Sequence, residues 1–177
     1  GAIATGSGSV ANGNNALSVG TSSNATGAKA MAFGSDAKAQ ANRTVAIGDG
    51  ASATKENATA IGTNATATGN YSIAIGLNAT SDQAGIAQGF NAKAGIDSLA
   101  LGRDSKAASG NNIAIGSGSN VTSDNDGVAL GKDTFVSGAS GTALGSRANV
   151  NATAAAAFGM ASKAEAEYAI ALGALSK

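Results

Sequence analysis

The sequence predicts an all-β fold, a parallel β-solenoid of about thirteen repeats of 14 residues. Three observations predict it: a glycine at a near-constant interval, alternating large and small residues before it, and small residues after it. The repeats run through residues 1–177, so we expect a single repeat domain. The repeat glycines are Gly6, Gly20, Gly34, Gly48, Gly62, Gly76, Gly89, Gly102, Gly116, Gly131, Gly145, Gly159 and Gly173.

The spacing of these glycines carries the topology. Nine of the twelve intervals are 14 residues, two are 13 and one is 15, a register that low-complexity sequence does not keep. Like residues at like positions stack when each coil lies on the one before it, as in a parallel solenoid. An antiparallel meander of this length would make one very large flat sheet, which proteins rarely build.

The residues before each glycine predict the first strand of the coil. The residue two before the glycine is Ala in twelve of thirteen repeats, with Ser18 as the exception. The residue just before it is large and apolar in all repeats except those with Thr5 and Gln88. This large–small alternation has the two-residue period of a strand. The apolar row is Val19, Phe33, Ile47, Ile61, Ile75, Leu101, Ile115, Leu130, Leu144, Phe158 and Leu172.

A second strand follows each glycine. Small residues occupy the third and fifth positions after it, as with Ala51 and Ala53, and a mostly polar residue lies between them. Asn, Gly, Ser and Asp fill the connections, which is the chemistry of tight turns. The outward position of this strand gives our candidate ligand-facing residues: Lys38, Lys93, Lys106, Phe135 and Lys163. For Phe135, exposure as a binding anchor and cover by a neighbouring loop remain equal alternatives.

The pattern also predicts assembly. A coil of about 14 residues is narrow, so its interior fits Ala, Ser and Gly, and the alternating large residues must point outward. The result is one long apolar stripe, and exposed patches of this size usually mark interaction sites. We therefore expect an obligate oligomer that closes around the stripe with cyclic symmetry. The residues alone leave the number of copies open.

Composition excludes several functional classes. The chain has no His, Cys, Pro or Trp, so it lacks an imidazole base, a thiolate nucleophile and the usual zinc ligands. An enzyme based on carboxylates or Lys stays open on composition alone. A net charge of zero argues against nucleic acid as a partner, and no apolar stretch is long enough for a transmembrane helix. We expect no cofactor and no metal.

Three units resemble the repeat of YadA-like heads: TVAIG at Thr44–Gly48, SIAIG at Ser72–Gly76 and NIAIG at Asn112–Gly116. These heads belong to trimeric autotransporter adhesins of Gram-negative bacteria, and thirteen repeats spread the resemblance over essentially the whole chain. The resemblance implies a left-handed parallel β-roll, a homotrimer and display at the tip of a surface stalk. It also implies attachment to collagen, fibronectin, laminin, host cell receptors or other bacteria, without catalysis. Neck, heptad stalk and outer-membrane anchor are not seen, so we expect a head segment anchored through other regions.

Four features of the sequence each have more than one interpretation. Gln88 interrupts the apolar row, where copies could ring the symmetry axis around a water or anion, be a tolerated polar residue, or help to set chain register. The segment Asp124–Gly127 in the 15-residue repeat could hold a metal, but an inserted surface turn is the better interpretation.

Tyr71 and Tyr168 occupy equivalent corners, where we favour packing at the edge of the roll over ligand contact. The eight Asn-x-Ser/Thr sequons are Asn24, Asn42, Asn57, Asn64, Asn70, Asn78, Asn120 and Asn151, and we interpret them as turn and surface residues rather than glycosylation sites.

Other functions compete with an adhesin head. An ice-binding solenoid needs an unbroken threonine ladder, whereas the slots equivalent to Thr66 and Thr68 hold Lys38 and Gln40, Ser52 and Thr54, and Lys106 and Ala108 in other coils. Hexapeptide acyltransferases have six residues per side and use a His, and this chain matches neither feature. A structural spacer or autoagglutination segment that carries another binding domain is the strongest rival, because no sequence feature separates it from an adhesin.

Overall fold

The computed structural model describes residues 1–108, 110–123 and 125–177. They divide into two compact units, Gly1–Asn91 and Ala92–Lys177. Both units repeat the same coil: a three-residue strand, a turn, a two-residue strand and a second turn. The described residues form a parallel β-solenoid of about 12 turns without a helix, which confirms the predicted fold class at that level.

The first unit contains two parallel sheets. The first sheet consists of β1 (Ile3–Thr5), β3 (Leu17–Val19), β5 (Met31–Phe33), β7 (Val45–Ile47), β9 (Thr59–Ile61), β11 (Ile73–Ile75) and β13 (Ile86–Gln88), in that order. The second consists of β2 (Val10–Ala11), β4 (Asn24–Ala25), β6 (Lys38–Ala39), β8 (Ser52–Ala53), β10 (Thr66–Ala67) and β12 (Thr80–Ser81).

The second unit repeats this arrangement. Its first sheet consists of β15 (Leu99–Leu101), β17 (Ile113–Ile115), β19 (Val128–Leu130), β21 (Thr142–Leu144), β23 (Ala156–Phe158) and β25 (Ile170–Leu172). Its second sheet consists of β14 (Lys93–Ala94), β16 (Lys106–Ala107), β18 (Asn120–Val121), β20 (Phe135–Val136), β22 (Asn149–Val150) and β24 (Lys163–Ala164). The second strands are shorter than predicted, because the small residue before each one belongs to the turn.

Parallel pairing sets like residues beside like residues in neighbouring coils. Ile61 of β9 pairs with Ile47 of β7 on one side and with Ile75 of β11 on the other. Backbone hydrogen bonds run from each coil to the coils before and after it, as when the Gly62 N–H donates to the Ile47 carbonyl oxygen at 2.7 Å. The repeat period in the sequence therefore becomes a set of straight columns on the surface and in the interior.

The interior is built from alanine. Ala46 and Ala60 of the first sheet and Ala53 of the second are all fully buried, as the narrow-coil argument predicts. Small hydroxyl residues also enter the interior at the turns, where they bond to nearby backbone oxygens. The Thr44 hydroxyl donates to the Ala41 carbonyl oxygen at 2.7 Å, and the Ser119 hydroxyl donates to the Gly116 carbonyl oxygen at 2.9 Å. These bonds offset the cost of burying the hydroxyls.

The repeat glycine is required by backbone packing between coils. Gly48 has φ +130°, a conformation that side chains rarely permit. A Cβ atom at this position would lie 2.6 Å from both the carbonyl carbon and the oxygen of Gly62 in the next coil. Gly62 has φ +128° and meets Gly76 in the same way, at 2.7 Å. The 14-residue glycine ladder is thus the line along which successive turns touch.

The second unit adjusts its interior by pairing larger residues with glycines. Val121, Val136 and Val150 are fully buried where all other coils have Ala, except for Ser81 in β12. Opposite them, a Cβ atom on Gly141 would lie 2.8 Å from a Val150 methyl and 3.0 Å from a Val136 methyl. The added methyl groups of the second strands therefore fill the space that glycine leaves in the turn before the next first strand, and the coil stays narrow.

Candidate functional site

The first sheet of each unit carries its large apolar side chains on the outer surface. The apolar face comprises the row just before each repeat glycine and the row two residues earlier. In the first-unit row, Val19, Ile47, Ile61 and Ile75 are partly buried and Phe33 is 54% exposed. In the second-unit row, Leu101, Ile115, Leu130 and Phe158 are partly buried, and Leu144 and Leu172 are exposed. The prediction that these residues point out of the roll is confirmed.

Their partial burial comes from one another. The parallel register places each apolar side chain between its equivalents in the adjacent coils, so each covers part of its neighbours. The side chains remain open on the side away from the roll. Burying apolar side chains of this size yields about 1.5–3 kcal/mol each. A continuous face of this kind is typical of a protein–protein contact.

Gln88 interrupts the apolar face at the end of the first unit's sheet. It pairs in register with Ile75, and its side chain is exposed. Two large apolar residues that the sequence argument missed lie in the turns just after the repeat glycines here. Leu77 is 42% exposed and Phe90 is 43% exposed, and the Asn91 N–H donates to the Leu77 carbonyl oxygen, which stacks the two turns. Their signal in the sequence is size, since most repeats have a small or polar residue in that slot.

The second sheet presents a polar outer surface. In the second unit, one outward column runs Lys93, Lys106, Asn120, Phe135, Asn149 and Lys163 in paired register. The structure therefore brings four of the five predicted surface residues into one line. The fifth, Lys38, is the exposed outward residue of β6 in the first unit, between Asn24 and Ser52. Phe135 is partly buried, so it is neither fully exposed nor fully covered.

Asn120 and Asn149 lie on either side of Phe135 and are not among the predicted ligand-facing residues. The Oδ1 atoms of both are buried without a hydrogen-bond partner in the described structure, as is that of Asn24. The accessible end of each amide is therefore Nδ2, a donor. The only signal for them in the sequence is their slot in the repeat.

Charge pairing is confined to other parts of the surface. Among the described residues, the ion pairs are Arg43–Glu56 at 3.3 Å, Arg103–Asp104 at 3.7 Å and Lys132–Asp133 at 3.9 Å. All are well exposed, and such pairs contribute about 0–1 kcal/mol to stability. None of them includes a lysine of the second sheet.

The 15-residue repeat contains a buried polar network. The Asn112 side chain is fully buried; its Nδ2 donates to the Ser123 carbonyl oxygen at 2.8 Å, and its Oδ1 accepts from the Gly127 N–H at 2.6 Å. These bonds hold both ends of the extra-residue turn. Asp124 of the suggested metal loop lies outside the described residues. In the part that is described, no group of three or more His, Cys, Asp or Glu residues is arranged to hold a metal.

The remaining candidates are the two corner tyrosines and the sequon residues. Tyr71 is 66% exposed and Tyr168 is 72% exposed, so the expectation that they pack at the edge of the roll is wrong. Both have φ near +60° in the turn, where the corner leaves the ring in solvent. The sequon residue Asn70 has a backbone role, since its Oδ1 accepts from the Glu56 N–H at 3.2 Å. Across the described residues there is no helical segment with the length and apolar character of a membrane span.

Comparison with known proteins gives a family match. The family model of the YadA head domain repeat (2 copies) matches residues 25–51, 53–79, 95–119, 123–148 and 151–176. A solved structure, the collagen-binding domain of the Yersinia adhesin YadA, aligns with a TM-score of 0.43 and 20% sequence identity, covering 97% of this chain and 80% of that one. No curated protein matches the chain.

Proposed function

The chain belongs to the YadA head domain repeat family, which consists of non-enzymatic adhesin heads of the bacterial surface, and on that premise we propose that it is the head of a homotrimeric adhesin. In this proposal the roll is left-handed, and regions outside the sequence anchor it in the outer membrane. The head attaches the bacterium to a host matrix protein such as collagen, fibronectin or laminin, or to a host cell receptor.

One observation carries this proposal: each unit has an apolar outer sheet and a polar outer sheet. The apolar face suits identical copies, because a cyclic assembly buries the same row from every copy at its axis. An alanine interior supplies few large side chains, so a main core between the chains supplies the burial that the coil lacks. The polar sheet then faces outward, where repeated weak contacts give avidity when three copies act together.

Gln88 has a defined place in such a trimer. Its exposed side chain lies in the row that would approach the axis, so three copies of the amide would face one another there. They would bond to each other or to a trapped water or anion, since buried amides need partners. Leu77 and Phe90 directly follow the repeat glycines Gly76 and Gly89. Their exposed side chains would extend the apolar face beyond these glycines.

The proposal is tested first by sedimentation velocity on two single-charge variants of the same coil. Ile115→Asp places an unpaired carboxylate in the proposed shared core, and an unpaired buried charge costs several kcal/mol per copy. Thr122→Asp places the same charge at an exposed position next to β18. We expect the Ile115 variant to lose the trimer and the Thr122 variant to keep it. A well-folded trimeric Ile115→Asp head would refute the assignment of the apolar face.

The second test is solid-phase binding of the trimeric head to collagen, fibronectin, laminin, vitronectin and intact epithelial cells. The control is the same head after heat unfolding. Saturable binding that requires the folded trimer supports a receptor-binding head and identifies its target. Binding to none of these favours a spacer or autoagglutination segment, for which self-association of head-bearing cells is the direct measurement.

A further inference from the structure

We propose that the outward column of the second unit's second sheet is a binding site for an acidic polysaccharide. We call this set the donor column; it consists of Lys93, Lys106, Asn120, Phe135, Asn149 and Lys163. The inference rests on the proposed function for one point only, namely that the second sheet faces outward in the assembly. It adds a ligand class to the matrix proteins proposed above.

The order of residues in the donor column is the first argument. Phe135 lies at the centre, Asn120 and Asn149 flank it, and Lys106 and Lys163 lie one coil further out on each side. With neighbouring strands about 4.8 Å apart, the Cα atoms of these two lysines are about 19 Å apart. The column is therefore a straight track long enough for several sugar rings, with an aromatic side chain at its middle.

The hydrogen-bonding character of the column is the second argument. All three lysines carry only donors, and the buried Oδ1 atoms leave Nδ2 as the accessible end of the Asn120 and Asn149 amides. A track that offers donors alone fits a ligand that presents carboxylate, sulfate, hydroxyl and ring oxygens.

Uncompensated charge is the third argument. Lys93 and Lys106 are directly paired in register and both exposed, and like charges directly opposite one another destabilise a sheet. Among the described residues neither lysine has a carboxylate within ion-pair distance. An anionic ligand bound along the column would screen this repulsion. The free energy that the repulsion costs the unbound protein would then favour ligand binding.

The same features select a polysaccharide over an acidic peptide. A peptide brings backbone N–H groups that need acceptors, and the accessible polar atoms of the donor column are donors. Peptides also depend on pockets for alternate side chains or on a free strand edge, whereas this column lies on the face of a sheet whose backbone groups are paired within the ladder. A sugar ring instead lays its apolar C–H face on an aromatic ring while its oxygens accept from the flanking donors.

The test measures binding of hyaluronan and heparin oligosaccharides to the trimeric head by calorimetry at two salt concentrations. Poly-L-glutamate and neutral dextran are the comparison ligands. We expect Lys106→Gln and Lys163→Gln each to weaken glycan binding about tenfold, equivalent to about 1.4 kcal/mol. The Phe135→Leu variant, which keeps an apolar side chain, is expected to weaken it about threefold or more.

Two variants serve as matched controls. Lys38→Gln removes a lysine from the same kind of slot in the first unit, where Asn24 and Ser52 are the neighbours and no aromatic residue is in register. We expect it to change glycan affinity by less than about twofold. Glu165→Gln removes an exposed carboxylate two residues after Lys163, and we expect tighter binding.

Several outcomes would overturn the proposal. They are no binding of either glycan, equal binding of poly-L-glutamate, equal loss in Lys38→Gln and Lys106→Gln, or full affinity in Phe135→Leu. The same preparations are measured by sedimentation and against matrix proteins. A trimer that binds matrix protein but no glycan refutes the donor column alone, whereas a monomer that binds neither refutes the proposed function.

Discussion

Replacing a ladder glycine is the sharpest perturbation of this fold, and Gly48→Ala is the case we develop. The new Cβ would lie 2.6 Å from the Gly62 carbonyl carbon and oxygen, whereas ordinary contacts begin at 3.4 Å, so the next coil must move by about 0.8 Å. That coil is tied down by the Gly62 N–H bond to Ile47, at 2.7 Å. A shift of this size stretches the bond beyond useful length.

The magnitude follows from two costs. Holding an alanine near φ +130° costs about 1–3 kcal/mol, and losing one backbone hydrogen bond costs about 0.5–1.5 kcal/mol. We therefore expect Gly48→Ala to lower the free energy of unfolding by about 1.5–4.5 kcal/mol per chain. Urea unfolding followed by circular dichroism at fixed protein concentration measures it.

The matched control is Gly50→Asn in the same turn. Gly50 has φ +65°, which Asn adopts readily, and Asn64 and Asn78 already occupy the equivalent slots of the next coils with φ +54° and +56°. Its Cβ would meet only the Asn64 side-chain oxygen, which can rotate away. We expect a change within about 0.5 kcal/mol. If Gly48→Ala is equally mild, or Gly50→Asn equally damaging, contact between successive turns does not explain the glycine ladder.

Three further predictions concern other parts of the coil. Asn70→Ala removes the acceptor of the Glu56 N–H and should cost about 0.5–1.5 kcal/mol in thermal unfolding; an unchanged midpoint would contradict a backbone role for this amide. Val136→Ala opens space in the interior and should cost about 2 kcal/mol alone; because a Gly141 Cβ would lie 3.0 Å from a Val136 methyl, its combination with Gly141→Ala should cost less than the sum of the two single changes, and a double-mutant cycle tests that coupling. Gln88→Leu should slow dissociation of the proposed trimer on dilution, whereas faster dissociation would show that the amide stabilises the proposed axis.

The columns of this fold could be predicted because parallel stacking repeats one coil. Once the spacing of the glycines fixes the coil length, alternation decides which residue is inside, and Ala46 and Ile47 fall on opposite sides as predicted. A narrow interior then leaves large residues no place except the surface. These steps need only the period and the size of the side chains.

The remaining features depend on contacts between coils, which the period does not encode. The role of Gly48 as a point of backbone contact is visible only when Gly62 is placed against it. The match between the missing side chain of Gly141, in the turn before β21, and the larger Val150 of the next coil appears only when the two are placed together. The accessible ends of the Asn120 and Asn149 amides depend on which atom is buried, and a sequence gives residue identity without that orientation.

The two sheets carry different constraints, and this separation explains where binding specificity can arise. A residue on the apolar face must suit its neighbours in the column and, in the proposed trimer, the other copies, so Ile, Leu, Val and Phe dominate it. An outward residue of the second sheet has only its two column neighbours to satisfy, and Lys, Asn, Ser, Thr and Phe all occur there. Changes in that column leave the interior and the proposed core untouched. In the proposed head, new ligands can therefore be acquired on the second sheet coil by coil, without altering the proposed trimer that presents them.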